Sequence, residues 1–302
     1  MRQPSIALIF NPAARGEKAR RFRESLGQMQ DECTLFETTA PGSATALAAQ
    51  AIRDGYKTIV ASGGDGTVNE VVNGFDKVCD GLGQAQLGIL PLGTMNVFAR
   101  ELGIPLPARR AWETIRHGLT RTVDLPLARV QTDDGQAERC FVQMAGAGLD
   151  GDAVGGVNIA LKKKIGPLAY LFSTLAALKA KPPRLTATWD GGSAEGEWMC
   201  VGNGRFFGGP VVLFPGAKLN DSRLDLCVFP RINPGSVSRG VTSMALGQIG
   251  DWPGAEHHRV SELTIDSPTE ARVQADGEFI GTLPLTVTLR PRALKVLVPA
   301  GK

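Results

Sequence analysis

The chain has 302 residues, more than one hydrophobic core usually serves, so two domains are expected. With 43% hydrophobic and 21% charged residues it has an ordinary globular make-up, and a net charge of +3 is too slight to point to nucleic acid. Its five cysteines (Cys33, Cys79, Cys140, Cys200, Cys227) form no CxxC or CxxxC pair, which argues for reduced thiols in a cytoplasm and against a zinc site or a disulfide framework.

Three histidines (His117, His257, His258) give poor support to a histidine metal cluster or a Ser-His-Asp site. No signal peptide is expected ahead of the first strand-like run, and no apolar run approaches the roughly 20 residues of a membrane span.

Along the chain, 6–10 reads as a strand, followed by a basic helix from about Glu17 and a second strand at 34–38. Ser43 is expected to cap an alanine-rich helix that ends near Gly55. A strand at 58–61, a helix from Thr67, a strand at 87–90 and helices near 96–102 and 108–118 follow. This β-α-β-α rhythm implies a parallel sheet covered on both faces. After Val123 the texture becomes short β-rich segments at 126–131, 139–145, 185–190, 196–201, 224–229, 260–266, 271–275 and 285–290, interrupted by a helix-like stretch at 159–180. The fold class expected is α/β plus all-β. An N-terminal Rossmann-like domain spans 1–122, and a mostly antiparallel β-sandwich spans 123–302.

The run Ser62-Gly63-Gly64-Asp65-Gly66-Thr67 lies between the strand at 58–61 and the helix that follows. Glycines let the backbone come close to a ligand, and helix-start N–H groups favour an anion, so phosphate is suggested. Asp65 would repel bare phosphate and needs a metal ion or a proton beside it, which points to phosphoryl transfer. A purely structural turn is the alternative, since Thr67-x-x-Glu70 reads as a capping box. The run lacks the Gly-Lys-Ser/Thr ending of the common P-loop. Asn11 to Gly16, with Arg15, Lys18, Arg20 and Arg21 nearby, and Pro91 to Asn96 are two more strand-to-helix loops. Three such loops on one sheet edge make a polyphosphate cleft. Gly146-x-Gly148-x-x-Gly151 formally matches a dinucleotide fingerprint, but residues 153–189 contain no acid to follow it, so a tight turn onto a helix is expected there.

The chain resembles the diacylglycerol-kinase catalytic-domain superfamily of lipid kinases, in its small bacterial form, along nearly its whole length. The resemblance rests on Asn11-Pro12-x-x-x-Gly16, Gly63-Gly64-Asp65-Gly66-Thr67-x-Asn69-Glu70 and Leu92-Gly93-Thr94-x-Asn96-x-Phe98-Ala99-Arg100. Val123-Asp124-Leu125, Gly146-Ala147-Gly148-Leu149-Asp150 and Asp276-Gly277-Glu278 extend it. The glycine run alone is shared with NAD kinases; Asn69-Glu70 and the third loop favour lipid kinases. The resemblance implies ATP as donor, Mg²⁺, and a lipid hydroxyl as acceptor. It implies that Gly63, Gly64, Asp65, Gly66, Thr67, Val68 and Asn69 bind ATP, joined by Thr38, Gly93, Thr94 and Asn96, while Asn11 and Arg15 shape the phosphate pocket.

Glu278 is the implied general base, with Asp65 serving the catalytic magnesium. Without the resemblance, Asp276 and Glu278 read as a hairpin turn with two solvated acids. The family's Asp-Gly-x-Leu-Asp magnesium loop corresponds to Asp221-Ser222-Arg223-Leu224-Asp225, which implies a site made by Asp221 with carbonyls of Lys218 and Arg223. Ser222 replaces the glycine, and an Asn/Asp-rich β-turn is the alternative. Asp124 joins the metal network or is a loop-end acid. Val97 stands where the family often has aspartate, and Arg15 where it has lysine.

The apolar stretch 167–178, flanked by Lys162, Lys163, Lys164, Lys179 and Lys181, suits either a core helix or one resting on an anionic lipid surface. The expectation is an ATP- and Mg²⁺-dependent kinase of a diacylglycerol-like or phosphatidylglycerol-like lipid. It would be cytoplasmic, in transient contact with the inner membrane surface, with homodimerisation open. The alternatives are an NAD-kinase-like phosphotransferase and a catalytically weak nucleotide-binding regulator.

Overall fold

The computed structural model describes residues 5–12, 22, 32–148, 182–233, 235 and 254–300. Arg15, the basic helix expected from Glu17, the far end of the Gly146 motif and the stretch 153–180 therefore lie outside the described residues.

The elements in chain order are β1 (Ile6–Phe10), β2 (Cys33–Glu37), α1 (Ser43–Arg53), β3 (Thr58–Gly63), α2 (Asp65–Asp76), α3 (Gly81–Gln84), β4 (Gln86–Pro91), α4 (Val97–Glu101) and α5 (Ala108–His117). The strands continue with β5 (Leu119–Thr132), β6 (Gly135–Cys140), β7 (Met144–Gly148), β8 (Leu185–Trp189), β9 (Gly192–Gly196) and β10 (Trp198–Gly202). They end with β11 (Leu224–Phe229), β12 (Glu256–Val260), β13 (Leu263–Asp266), β14 (Arg272–Ala275) and β15 (Glu278–Val298).

The chain divides into two units, Met1–Leu125 with Pro291–Lys302, and Pro126–Arg290. The sequence places the boundary close to the first division but gives the C-terminal residues to the second domain. They return to the first unit because the end of β15 pairs in parallel with β4, Val296 opposite Leu87.

In the first unit the parallel order is β2-β1-β3-β4, with β15 beyond β4. β3 is buried at all six positions, as befits a strand covered on both faces. Phe10 pairs with Ser62, and Gly63 with Pro91, so the loops after β1, β3 and β4 leave the sheet at one edge. The chain goes one way from β1 to β2 and the other way to β3, which makes the crevice between β1 and β3 a topological switch point.

Two helix starts differ from expectation. Ser43 is the first residue of α1, not its cap; its Oγ accepts the Thr39 and Ala40 amides at 3.2 and 2.9 Å and closes the preceding turn. The Ala44 amide is taken instead by Glu70 Oε2 at 3.0 Å. α2 begins at Asp65 because Gly64 adopts the extended N-cap conformation (φ −94°, ψ −169°). Thr67 then lies inside the first turn, and Glu70 serves the neighbouring helix, so the two form no capping box.

The second unit is antiparallel throughout β6–β5, β7–β10–β11–β12, β7–β14 and β9–β8–β13–β15. Alternation along β10 sends Met199 and Val201 into one buried cluster and Trp198 and Cys200 into another. In the second cluster Trp198 stacks on Phe229 at 4.0 Å. The strand expected at 139–145 splits into β6 and β7. Gly146 and Gly148 belong to β7, opposite Cys200 and Trp198, and not to a turn that opens a helix.

Cys79 is exposed and the other four thiols are buried. Burial, with a smaller push from the Glu32 charge, raises Cys33 to about 11. Burial pushes Cys227 to about 12. The native chain is therefore expected to give one fast-reacting thiol per molecule with a colorimetric disulfide reagent at neutral pH, and the rest only on unfolding. Two or more fast thiols would contradict this packing. Among the described residues, no helix is long and apolar enough to cross a membrane.

Candidate functional site

The glycine loop is positioned by β3 and welded to its neighbours through backbone. The Gly63 carbonyl accepts the Leu92 and Gly93 amides at 2.9 and 3.1 Å. The Asn11 amide donates to the Ser62 carbonyl at 3.0 Å, and Asn11 Nδ2 reaches Thr67 Oγ1 at 3.3 Å. The Thr38 amide meets the Phe10 carbonyl at 2.9 Å. All the expected pocket loops that the structure describes are thus braced at one sheet edge.

Space dictates two of the glycines. A Cβ on Gly93 would sit 2.5 Å from Gly64 Cα, and one on Gly63 2.3 Å from Thr67 Oγ1. Gly64, Asp65 and Gly66 are half-buried, and Thr94 is exposed on the third loop. The first-turn amides of α2, at Asp65, Gly66 and Thr67, are ones a helix cannot satisfy internally, which suits an anion.

Val68 and Asn69 are turned inward instead. The Val68 amide is committed to the Gly64 carbonyl at 3.2 Å, and Asn69 is 1% exposed with its Oδ1 accepting from Asn73 Nδ2 at 3.1 Å. That removes both from the loop surface where the nucleotide was expected to meet them.

Asp65 has a structural task the sequence did not reveal. Its Oδ1 accepts the Val97 amide at 2.6 Å and the Phe98 amide at 3.4 Å, capping α4. One carboxylate thus lies at the positive ends of two helices. The backbone of Val97 makes this contact, so the valine that replaces the family's aspartate leaves it intact. Asn96, at φ 49°, donates through Nδ2 to the Gly93 carbonyl at 2.7 Å and shapes the turn. Asp65→Ala is expected to cost about 0.5–2 kcal/mol in urea unfolding, whereas Asp65→Asn keeps a capping oxygen and should stay within about 0.5 kcal/mol of the parent. Equal losses for both would refute the capping role.

In the second unit Asp276 (φ 48°) and Gly277 (φ 82°) form the two-residue turn between β14 and β15, with Ala275 opposite Glu278. The hairpin alternative is thus right about the turn, but Asp276 is half-buried and its carboxylate is held by backbone. Its carboxylate accepts the amides of Val142, Gln143 and Met144 at 2.8, 2.9 and 3.1 Å, and its own amide donates to the Met144 carbonyl at 2.8 Å. Gln274 Oε1 accepts the Gly277 amide at 2.9 Å. Glu278 follows this pinned turn, and its Oε2 pairs with Arg139 Nη2 at 2.7 Å, both side chains more than a third or close to a third exposed (39% and 33%).

The expected metal residues do not gather. Asp124 is not a loop-end acid. It lies in β5, 1% exposed, and its Oδ1 accepts the amide of Arg292, a left-handed residue at φ 50°. Lys218 is exposed. Ser222 takes φ 60°, the conformation for which glycine is suited, so the loop keeps its course at the cost of some strain.

Asp221 Oδ1 accepts the Arg223 amide at 3.2 Å and Oδ2 accepts from Arg259 Nη2. Arg259 Nε lies 3.8 Å from Asp225 Oδ1. Among the described residues no three His, Cys, Asp or Glu side chains are grouped to hold a metal. With both Asp221 oxygens engaged, one by a guanidinium, these residues do not fit a resident magnesium ion.

Burial raises the Asp225 carboxyl above its usual 3.8, with Asp221 adding to the rise and Arg259 and His257 opposing it. An acid raised in the folded state adds most stability below its unfolded pKa and loses it as pH rises through the folded value. Asp225→Asn is therefore expected to gain on the parent, in urea unfolding free energy, from mildly acid to neutral pH. A constant difference between the two would contradict this.

Residues 5–128 match the family described as the diacylglycerol kinase catalytic domain, and 143–298 match the YegS C-terminal NAD kinase beta sandwich-like domain. Proteins named diacylglycerol kinase from Bacillus subtilis and from Staphylococcus aureus (strain bovine RF122 / ET3-1) are each 29% identical to the chain. The first alignment covers 98% of this chain and 96% of the relative, the second 97% and 91%. In fold, the chain is similar to a solved diacylglycerol kinase structure from Bacillus anthracis (TM-score 0.73, 24% identity, 97% and 96% covered). It is more distantly similar to yeast NADH kinase complexed with NADH (TM-score 0.54, 10% identity, 100% and 85% covered). Paired glycine loops at a parallel-sheet edge, a pinned Asp-Gly-Glu hairpin in an antiparallel unit and these matches lead to one conclusion: the chain belongs to the diacylglycerol-kinase family, phosphotransferases with an alcohol acceptor, in which the catalytic domain is joined to an NAD-kinase-like β-sandwich.

Proposed function

We propose that the chain transfers the γ-phosphoryl group of MgATP to the hydroxyl of a diacylglycerol-like or phosphatidylglycerol-like lipid. The observation that carries this reading is the bracing of the loops after β3 and β4, around Gly63, Gly64, Asp65 and Gly93, with Asn11 at the end of β1 tied to them, at a switch point. The first-turn amides of α2 bind ATP phosphates, with Asn11, Thr38 and Thr94 lining the same edge. Asp65 meets the Mg²⁺ that arrives bound to ATP. Glu278 takes the hydroxyl proton as the new O–P bond forms and the bond to the β-phosphate breaks, releasing ADP. The lipid acceptor is the one suggested by relatives named diacylglycerol kinase. The protein works from the cytoplasm in transient contact with the inner membrane surface.

The test is transfer of labelled γ-phosphate with a lipid extract and NAD offered together. Label in the organic phase supports the proposal and identifies the lipid. Label on NAD alone moves the chain to NAD phosphorylation, the reading that the fold of the yeast NADH kinase keeps open. Binding of ATP with no transfer to either acceptor indicates a nucleotide-binding regulator.

A further inference from the structure

Asp221 and Asp225 stand near the start of β11, and Arg259 stands directly opposite Asp225 in β12. Its guanidinium bonds Asp221 Oδ2 and lies 3.8 Å from Asp225 Oδ1, so one side chain faces both carboxylates. The remaining Asp221 oxygen is occupied by the Arg223 amide, which closes the Ser222 turn. Asp225 is 9% exposed, and its Oδ2 is a buried acceptor with no donor. Two acids here converge on one guanidinium. A divalent ion could reach Asp221 Oδ2 only by expelling the guanidinium, and while both were present it would be repelled by it.

We infer that Arg259 is the built-in cation of this turn: its guanidinium holds the Asp221–Asp225 segment in the way a resident magnesium ion would, so the fold of this unit needs no divalent metal. Arginine suits the task because its planar fork addresses two carboxylates at once and stays charged at any working pH. The inference concerns folding alone and stands whichever alcohol the protein phosphorylates. Magnesium required by turnover is the magnesium carried by ATP.

The experiment is thermal unfolding of the nucleotide-free chain in EDTA and in millimolar Mg²⁺. The parent is expected to unfold at the same midpoint in both, within about 1 °C. Arg259→Met should lose about 3–6 °C in EDTA and recover part of it in Mg²⁺, and adding Asp221→Asn should abolish the recovery. Arg259→Lys should stay close to the parent. A parent midpoint that rises with Mg²⁺ overturns the inference. So does an Arg259→Met variant that keeps the parent midpoint, or one whose loss Mg²⁺ does not relieve, which would mark an ordinary ion pair. Should Arg259→Met fail to fold, Mn²⁺ binding to the parent, followed by electron paramagnetic resonance, decides the matter. A bound ion that Asp221→Asn removes overturns the inference, and the absence of such an ion upholds it.

Discussion

Glu278→Gln is expected to lower kcat/KM by about 10²–10⁴-fold, the range general-base removal commands, while the unfolding midpoint stays put. The stability half of this expectation follows from the geometry. Arg139 donates to Glu278 Oε2 at 2.7 Å, and a glutamine oxygen accepts the same bond. Both side chains are about a third exposed, so the charge component lost is that of a screened pair, about 0–1 kcal/mol. The turn itself is held by Asp276 and its three amide donors, which the substitution leaves alone. A rate close to the parent's would take Glu278 out of the chemistry. A large loss of stability would mean the pair with Arg139 is worth more than its exposure suggests. Asp65→Asn supplies the companion measurement, a rate loss in a variant whose α4 cap is preserved.

Gly93→Ala should damage both folding and nucleotide binding. The new methyl would lie 2.5 Å from Gly64 Cα and 2.8 Å from Asn96 Oδ1, and the first of these is backbone with no rotamer to yield. Overpacking of this kind costs about 1–3 kcal/mol. Relief comes by parting the second and third loops, and a displacement of about 1 Å among positioning groups is worth roughly 100-fold in rate. The converse variant is a sharp control. A Cβ on Gly64 meets Gly93 Cα at 3.4 Å, ordinary contact, so Gly64→Ala should be far milder. Urea unfolding and calorimetric titration with ATP would compare the two. Equal damage from both would show that the close approach is not what selects glycine at 93.

The sequence could not rank these glycines, because spacing shows where a loop turns and not which backbone passes over it. What it could show was strand and loop. β1 and β11 coincide with the apolar runs read at 6–10 and 224–229, since every side chain there except Asp225 is apolar. β9 and β12 were missed because Gly-Ser-Ala-Glu-Gly and Glu-His-His-Arg-Val carry exposed side chains and no apolar run. The start of β7 was read as strand, but Gly146 and Gly148 were assigned to a tight turn because of their Gly-x-Gly-x-x-Gly spacing; between β10 and β14 these small residues pack as a central strand. Two prolines hid most of β15, of which only 285–290 was expected.

The candidate site divided in the same way. Loops rich in glycine were legible, but the partners that fix their acids were not. Asp65 is 32 positions from Val97, Asp221 is 38 from Arg259, and Glu278 is 139 from Arg139. No local period encodes such pairs. The Asp276-Gly277 turn was legible as a hairpin, a favoured dipeptide for a two-residue loop, but the three amides that pin its carboxylate were not.

The return of Pro291–Lys302 to the first unit sets a timetable for the newborn chain. Leu294 and Val296 are wholly buried, and Val296 supplies a neighbour to the β4 edge at Leu87. On the ribosome that edge emerges early and waits while the entire second unit is made, roughly 10–30 s at ordinary elongation rates. During that wait β4, paired with β3 on one side, leaves its other edge open, the kind of edge that recruits a foreign strand. The half that carries the glycine loops, first to be synthesised, is thus the last to be sealed, and a chain cut short anywhere before residue 291 ends with those loops mounted on an open sheet.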